Sequence, residues 1–94
     1  MKLIWSSTAS ADRKRIRAYI ATDNPRAAIQ MDALFEKAAA MLLEHPKMGK
    51  AGAIPGTREW LAHRSYRLVY ELDGQTVRVM ALVHTARLWP PATE

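Results

Sequence analysis

The chain of 94 residues has room for one hydrophobic core, and its hydrophobic fraction of 49% with 24% charged residues excludes a disordered or fibrous protein. The absence of cysteine excludes disulfides, thiolate metal ligands and thiol catalysis. Fourteen Lys and Arg against nine Asp and Glu give a net charge of +5, which favours a polyanionic partner, either nucleic acid or an acidic protein.

The first part of the chain predicts a strand followed by a helix. "KLIWS" is a short apolar run, long enough for a strand and too short for a packed helix. In "STASADRKRIRAYIATDN" the hydroxyl residues at 6–8 offer N-caps, and Asp12, Ile16 and Tyr19 fall on one side at helical spacing. The arginines at 13, 15 and 17 mostly fall on other sides, and we interpret them as surface residues.

The next segment, "DNPRAAIQMDALFEKAAAMLLEHPKMG", has the strongest helical pattern in the chain. Asn24 can cap this helix, Pro25 suits its first position, and Pro46 with Gly49 ends the run. Its apolar residues form a broad stripe. Because only a few residues around Asn24 join the two predicted helices, we expect them to lie antiparallel as a helical hairpin.

The remainder of the chain predicts strands. Residues 47–56 read as a loop, "TREWLAHR" as a strand, and "SYRLVYEL" and "QTVRVMALVH" as two strands joined by a turn at Asp73 and Gly74. Residues 85–94 have no pattern. We therefore expect one α+β domain over residues 1–94, with an N-terminal strand and an antiparallel two-helix hairpin packed on a small, mainly antiparallel twisted sheet.

The predicted turn at Asp73 and Gly74 fixes which residues of its two strands lie opposite each other. One side of the hairpin is then apolar, with the pairs Leu72–Gln75, Tyr70–Val77, Leu68–Val79 and Tyr66–Ala81. The other side carries Arg67, Arg78 and, side by side, His63 and His84. We expect the apolar side to cover the helices and the second side to open outward as a binding surface, partly covered by a loop, the tail or a partner.

Two candidate side chains each keep a structural and a functional interpretation. Arg67 either pairs with a carboxylate, such as Glu59 or Glu71, or holds a phosphate in a bidentate grip. Trp89 either fills the bottom of the core or stacks on a base.

One chemistry is compatible with the histidines and arginines, namely cleavage of a nucleic acid backbone without a metal. His63 or His84 would move protons, while Arg67 and Arg87 would offset charge on the phosphorus. The sequence has no metal-ligand, P-loop or dinucleotide-binding spacing, so we expect no metal and no small-molecule cofactor. The start "MKLIWSSTAS" is too polar for a secretory signal and no window approaches a membrane span, so we expect a cytoplasmic protein without a membrane partner.

The segments "DNPRAA", "LLEHPKMG", "PGTREW", "YRLVYEL" and "VHTARLWP", in this order, resemble the RelE/ParE superfamily of bacterial type II toxin–antitoxin modules. The resemblance implies a helical hairpin on a small, mostly antiparallel sheet. It also implies one of two targets, since the RelE branch cuts messenger RNA on the ribosome and the ParE branch poisons DNA gyrase. In both branches an antitoxin silences the toxin by wrapping it with an extended or helical C-terminal segment.

The resemblance also implies roles for individual residues. Arg67 matches a RelE arginine that contacts the reacting phosphate, Arg87 falls where a second such arginine lies, and His84 resembles a strand-end histidine of RNA-cutting members. These three would be catalytic only in a ribonuclease. For binding of nucleic acid or another target we expect the outer sheet face and the C-terminal end, through His63, Arg64, Arg67, Arg78, Lys50 and Trp89.

Departures from RelE favour the other branch. RelE has a lysine pair ahead of the hairpin and a C-terminal tyrosine, and related members use a glutamate base. In this chain the corresponding loop "GKAGAIPG" offers only Lys50, and the tail "PPATE" has no tyrosine. The sequence is more similar to ParE, which predicts growth arrest by gyrase inhibition, as in plasmid stabilisation, without enzymatic activity. A ribosome-dependent mRNA interferase, acting as a metal-independent endoribonuclease, and a non-toxic antitoxin-binding relic stay open as alternatives.

Overall fold

The computed structural model describes residues 1–91, in which two helices cover one side of a five-stranded sheet. In chain order the elements are β1 (Lys2–Trp5), α1 (Ser7–Asp23), α2 (Pro25–Glu44), β2 (Lys50–Ala51), β3 (Arg58–His63), β4 (Tyr66–Asp73) and β5 (Thr76–His84). The predicted α+β fold is confirmed. The two-residue strand β2 lies in a segment that the sequence pattern predicts as loop.

Side-chain caps begin both helices. The Ser6 hydroxyl accepts a hydrogen bond from the Ala9 amide at 3.0 Å, and the Asn24 side-chain oxygen accepts one from the Ala27 amide at 3.0 Å. Pro25 occupies the first position of α2, where its missing N–H leaves no bond unmade. Since Asn24 alone separates the helices, they form the predicted antiparallel hairpin.

The strands lie in the order β1-β5-β4-β3-β2, and only the β1–β5 pair is parallel. β1 covers β5 only as far as the pair Trp5–Val79. Beyond this point Ser6, the N-cap of α1, bonds to the edge of β5. Its amide donates to the Val79 carbonyl at 2.9 Å and its hydroxyl to the Met80 carbonyl at 3.1 Å. The first helix is therefore fixed against the edge of β5.

The main core lies between the helices and the sheet. Phe35 and Leu42 of α2 pack there against Leu68, Tyr70 and Val79 of the central strands, all fully buried. A smaller apolar cluster, comprising Val69, Ala81, Val83, Met80 and Trp89, lies on the other side of the sheet. Neither helix described in residues 1–91 combines the length and the apolar character needed to cross a bilayer.

The predicted hairpin pairing is wrong. Asp73 pairs with Thr76, so the turn residues are Gly74 and Gln75, and Tyr70 pairs with Val79 instead of Val77. Gly74 has φ +58°, whereas no residue other than glycine among those described has positive φ. A positive φ at the first turn position alone is the type II′ arrangement, which places glycine first and moves the turn one residue along the chain.

A bulge then changes the pairing a second time. Val79 pairs with Tyr70 and Ala81 with Val69, so Met80 is left over on β5. Past the bulge, Tyr66 pairs with His84 rather than with Ala81. This shift turns Ala81 to the outer side of the sheet and brings His84 to the helix side.

Candidate functional site

Arg67 is held by a buried carboxylate on the neighbouring strand. Its guanidinium Nη1 donates to Glu59 Oε1 at 3.0 Å, and the second oxygen of Glu59 accepts a bond from the Ala53 amide at 3.0 Å. The Glu59 side chain is 5% exposed and that of Arg67 25%. The carboxylate interpretation of Arg67, with Glu59 as partner, is therefore the observed arrangement.

Arg78, the second arginine on the outer side, is also neutralised. It donates to Glu71 at 3.0 Å and to Asp73 at 3.4 Å. Lys50, Arg64 and Arg87 differ from these two arginines, because they are exposed and form no ion pair within residues 1–91. Among the predicted binding cations, Lys50 and Arg64 are therefore the ones with charge available to a partner.

Lys50 and Arg64 border an open cleft at the β3 edge of the sheet. This cleft, called the edge cleft below, has a volume of about 610 Å³ and is lined by Met48, Lys50, Glu59, Trp60, Leu61, Arg64, Arg67 and Thr85. Leu61 is 59% exposed at its mouth. The edge cleft therefore combines an exposed leucine with two cations that form no ion pair within residues 1–91.

His84 lies in a separate groove on the helix side. This groove, called the histidine groove below, has a volume of about 550 Å³ and is lined by Arg15, Ile16, Tyr19, Tyr66, Leu82, His84, Ala86 and Arg87. The rings of His84 and Tyr66 meet edge to face with centroids 5.2 Å apart. Burial, with a smaller contribution from Tyr19, raises the pKa of the Tyr66 phenol above its usual value.

Hydrogen bonds restrict the chemistry of both candidate histidines. His84 Nδ1 accepts from the Ala86 amide at 3.0 Å, and His63 Nδ1 accepts from the Ser65 amide at 3.0 Å. An accepting Nδ1 carries no proton, so the neutral ring carries its proton on Nε2. In this arrangement each histidine presents a donor, whereas a general base must present an acceptor.

The structure separates His84 from Arg67, two of the residues predicted for ribonuclease chemistry. His63 lies on β3 and His84 on β5, with Tyr66 of β4 paired to both, so the predicted His63–His84 pair is wrong. His84 faces the helices, while Arg67 lies on the outer side beside Val83. Arg87 borders both the histidine groove and a second pocket on the outer side of the sheet, which Val83 and Trp89 also line.

The C-terminal segment covers part of the outer side of the sheet. Trp89 packs against the cluster of Val69, Ala81 and Val83, which supports its interpretation as apolar filler. Its indole Nε1 is buried and has no acceptor within residues 1–91. The tail, as far as Pro91, therefore supplies part of the predicted cover over the outer face.

Sequence reasoning missed the role of Asp12. This carboxylate is 8% exposed and accepts bonds from the Leu82 amide at 3.0 Å and from Arg15 at 2.8 Å. The available signal was an acidic residue on the apolar side of the first helix. Across residues 1–91 no cluster of three or more histidine, aspartate or glutamate side chains is arranged to hold a metal ion.

Comparisons of the sequence and of the fold with known proteins identify the family of this chain. The family profile described as "ParE toxin of type II toxin-antitoxin system, parDE" matches residues 3–89. A Sinorhizobium fredii protein named "Putative toxin Y4kP" is 32% identical over 90 residues, which cover 95% of this chain and 93% of that protein.

Two solved structures share the fold. "Chromosomal ParDE TA system from P. aeruginosa" superposes with a TM-score of 0.78 at 19% identity, over 89% of this chain and 95% of that one. "YoeB/ParE toxin from Agrobacterium tumefaciens" gives 0.64 at 20% identity, over 89% and 98%. With the family match along nearly the whole chain, the protein belongs to the ParE family of toxins from type II toxin–antitoxin systems.

Proposed function

We propose that this toxin arrests growth by binding and inhibiting DNA gyrase, and that a cognate antitoxin keeps it silent until needed. The family supplies the role of toxin and implies an antitoxin partner. The choice of gyrase rests on the similarity to ParE and on the arrangement of the candidate catalytic residues.

The single observation that carries the proposal is the ion pair between Glu59 and Arg67. A phosphate clamp needs an arginine with free charge, but the guanidinium of Arg67 lies 3.0 Å from a carboxylate that is almost fully buried. His84 faces the opposite side of the sheet from Arg67, and this placement argues against a common action of the two residues on one phosphate. This separation supports inhibition by binding over cleavage of RNA.

The proposed contact surface consists of the free cations around the edge cleft and the C-terminal end. Lys50, Arg64 and Arg87 have exposed side chains and no ion pair within residues 1–91. His63 lies on the same edge strand as the cleft residues, and Arg78 and Trp89 border the outer side of the sheet. Such charges accelerate encounter with an acidic surface and fix its orientation.

A supercoiling assay run beside a translation assay tests the proposal. Purified protein should reduce ATP-dependent supercoiling by gyrase and leave translation of a reporter messenger RNA unchanged. The double variant Lys50→Ala/Arg64→Ala should need about tenfold more protein for the same inhibition, equivalent to about 1.4 kcal/mol of binding free energy. Lys14→Ala/Arg26→Ala removes the same charge from exposed helix positions and should inhibit as well as the unmodified chain.

Other outcomes would replace the proposal. Loss of translation with cuts in the messenger RNA, and unaffected gyrase, would instead identify a RelE-type mRNA interferase. Expression from a tightly controlled promoter without any growth defect would identify a non-toxic relic that only binds an antitoxin.

A further inference from the structure

We propose that the outer face of α2 binds a second copy of this chain, with the two α2 helices antiparallel about a two-fold axis level with Phe35. This face, called the α2 face below, is the side of the helix turned away from the sheet. The dimer goes beyond the proposed function and leaves the surface for gyrase uncovered, because no residue of α2 lines the edge cleft.

The α2 face is exposed along the whole length of the helix. It lies opposite Phe35, Ala39 and Leu42, which are buried against the sheet. Ile29, near the beginning of the face, is 69% exposed. The exposed residues that recur on this side at three- and four-residue steps are Arg26, Ile29, Ala33, Lys37, Ala40 and Glu44.

The charges at the two ends of the α2 face oppose the dipole of their own helix. Arg26 lies in the first turn, where the end of a helix is positive, and Glu44 is the last helical residue, where the end is negative. Neither side chain forms an ion pair within residues 1–91. Both charges are therefore unfavourable for an isolated α2, and a second, antiparallel helix along the α2 face would make both favourable.

The first helix of the same chain does not provide this compensation. α1 is antiparallel to α2, but it packs against the flank of α2 that carries Asp32 and Glu36, both of which pair with Arg13. Arg26 and Glu44 take no part in these ion pairs. The partner that would use their charges must therefore come from another molecule.

The α2 face is complementary to itself. Arg26 and Glu44 are equally far from Phe35 and about 27 Å from each other along the helix. A two-fold axis level with Phe35 therefore brings Arg26 of each copy beside Glu44 of the other. Each of these charges then lies at the end of a neighbouring helix whose dipole favours it. The same axis brings Ile29 of one copy near Ala40 of the other, where the isoleucine loses contact with water.

Two-fold symmetry favours a second copy over other occupants, because every contact across the axis is made twice. A nucleic acid would meet the carboxylate of Glu44 at one end of the face. A contact limited to one helix from each copy lies at or below the low end of the about 1,200–2,000 Å² that specific interfaces bury. Lys37 of both copies also lies close to the axis. We therefore expect a weak, reversible dimer with a dissociation constant of about 10–100 µM.

Sedimentation equilibrium of the full chain between about 10 and 500 µM tests this dimer. Arg26→Glu should raise the dissociation constant at least about tenfold, because symmetry converts two opposite-charge pairs into two like-charge pairs. Glu44→Arg should do the same. Each substitution brings the charge into agreement with the helix dipole, so neither should impair folding, which circular dichroism checks.

Combinations of the two substitutions test the antiparallel arrangement. Arg26→Glu with Glu44→Arg in one chain restores opposite charges across the axis and should return the dissociation constant to within about threefold of the unmodified value. An equimolar mixture of the two single variants should form a heterodimer, although each alone stays largely monomeric. The control Arg87→Glu reverses an exposed charge beside two grooves that no α2 residue lines, and should change the dissociation constant by no more than about twofold.

Three results would each overturn the inference. The first is a chain that stays monomeric up to about 500 µM. The second is a dimer that Arg26→Glu and Glu44→Arg weaken no more than Arg87→Glu does. The third is a dimer that the combined variant fails to restore. Gyrase is absent from these measurements, so the dimer and the proposed function can fail separately.

Discussion

The carboxylate of Asp12 on α1 accepts a hydrogen bond at 3.0 Å from the backbone amide of Leu82 on β5. This bond joins residues 70 positions apart, at the part of β5 that β1 does not cover. An uncovered edge amide in a buried position must find an acceptor, because leaving it unpaired costs about 1–3 kcal/mol. Asp12 therefore replaces the missing strand with one side-chain oxygen.

Asp12→Ala should lower the free energy of unfolding by about 1–3 kcal/mol, since it leaves the Leu82 amide without an acceptor. Asp12→Asn keeps an oxygen at the same place and should lose less. Urea denaturation followed by circular dichroism measures both. The exposed Asp23 provides the control, and Asp23→Ala should change stability by no more than about 0.5 kcal/mol. Equal losses for the alanine and asparagine variants would contradict the proposed bond.

The pair of Glu59 and Arg67 predicts a strongly non-additive double variant. Arg67→Met alone leaves the buried Glu59 carboxylate without its ionic partner, and should lower the free energy of unfolding by about 3 kcal/mol. Glu59→Gln together with Arg67→Met removes both charges and should recover most of that loss. Urea unfolding of the wild type, both single variants and the double variant gives the coupling energy. Additive effects of the two substitutions would show that the pair is not coupled.

Local patterns were sufficient to predict the elements themselves. Asn24 and Pro25 are a cap and a first helical residue in the structure, as their residue types indicated. The strands around Gly74 were also predicted, because alternating apolar residues on both sides of a turn signal are typical of a β-hairpin. Even the interpretation of Arg67 as a partner of Glu59 was available from residue types.

The pairing within the hairpin could not be predicted in this way. Asp73-Gly74 and Gly74-Gln75 are both acceptable turns, and only the structure shows the second. The bulge at Met80 accompanies a hydrogen bond from the Ser6 hydroxyl to the Met80 carbonyl, a contact between residues 74 positions apart. No local sequence pattern indicates such a contact. The pairing of His84 with Tyr66 depends on the bulge.

Two substitutions of Trp89 should affect the free energy of unfolding to different extents. Trp89→Ala uncovers the apolar cluster of Val69, Ala81 and Val83 and should lower the free energy of unfolding by about 3 kcal/mol. Trp89→Phe keeps most of this cover and also removes the indole N–H, which is buried without an acceptor in the described part of the chain. Its stability should therefore stay within about 1 kcal/mol of the wild type. Thermal and urea unfolding measure the stability of both variants. If the phenylalanine variant is as unstable as the alanine variant, the indole N–H must have an acceptor.

The buried phenol of Tyr70 predicts a loss of stability at high pH. Its hydroxyl donates to the Pro46 carbonyl at 2.6 Å and accepts from the Gly49 amide at 3.0 Å. Burial raises the pKa of Tyr70 above its usual value of 10.0, although the Gly49 hydrogen bond and the charge of Arg58 act in the opposite direction. A raised pKa in the folded state means that the folded protein favours the neutral phenol. This contribution to stability is complete below about pH 10 and is lost as the pH rises further.

Tyr70→Phe tests both the hydrogen bonds and this pH dependence. At neutral pH the variant should be less stable by about 1–3 kcal/mol, because the Pro46 carbonyl and Gly49 amide lose their partner. Above about pH 10 the wild type loses the contribution of the neutral phenol and the variant has none to lose, so the difference between them should narrow. Tyr19→Phe, at a position that is 77% exposed, should stay within about 0.5 kcal/mol of the wild type at neutral pH. Urea unfolding between pH 7 and about pH 11 provides the measurement, and a constant difference across that range would show that the Tyr70 phenol ionises equally in the folded and unfolded chains.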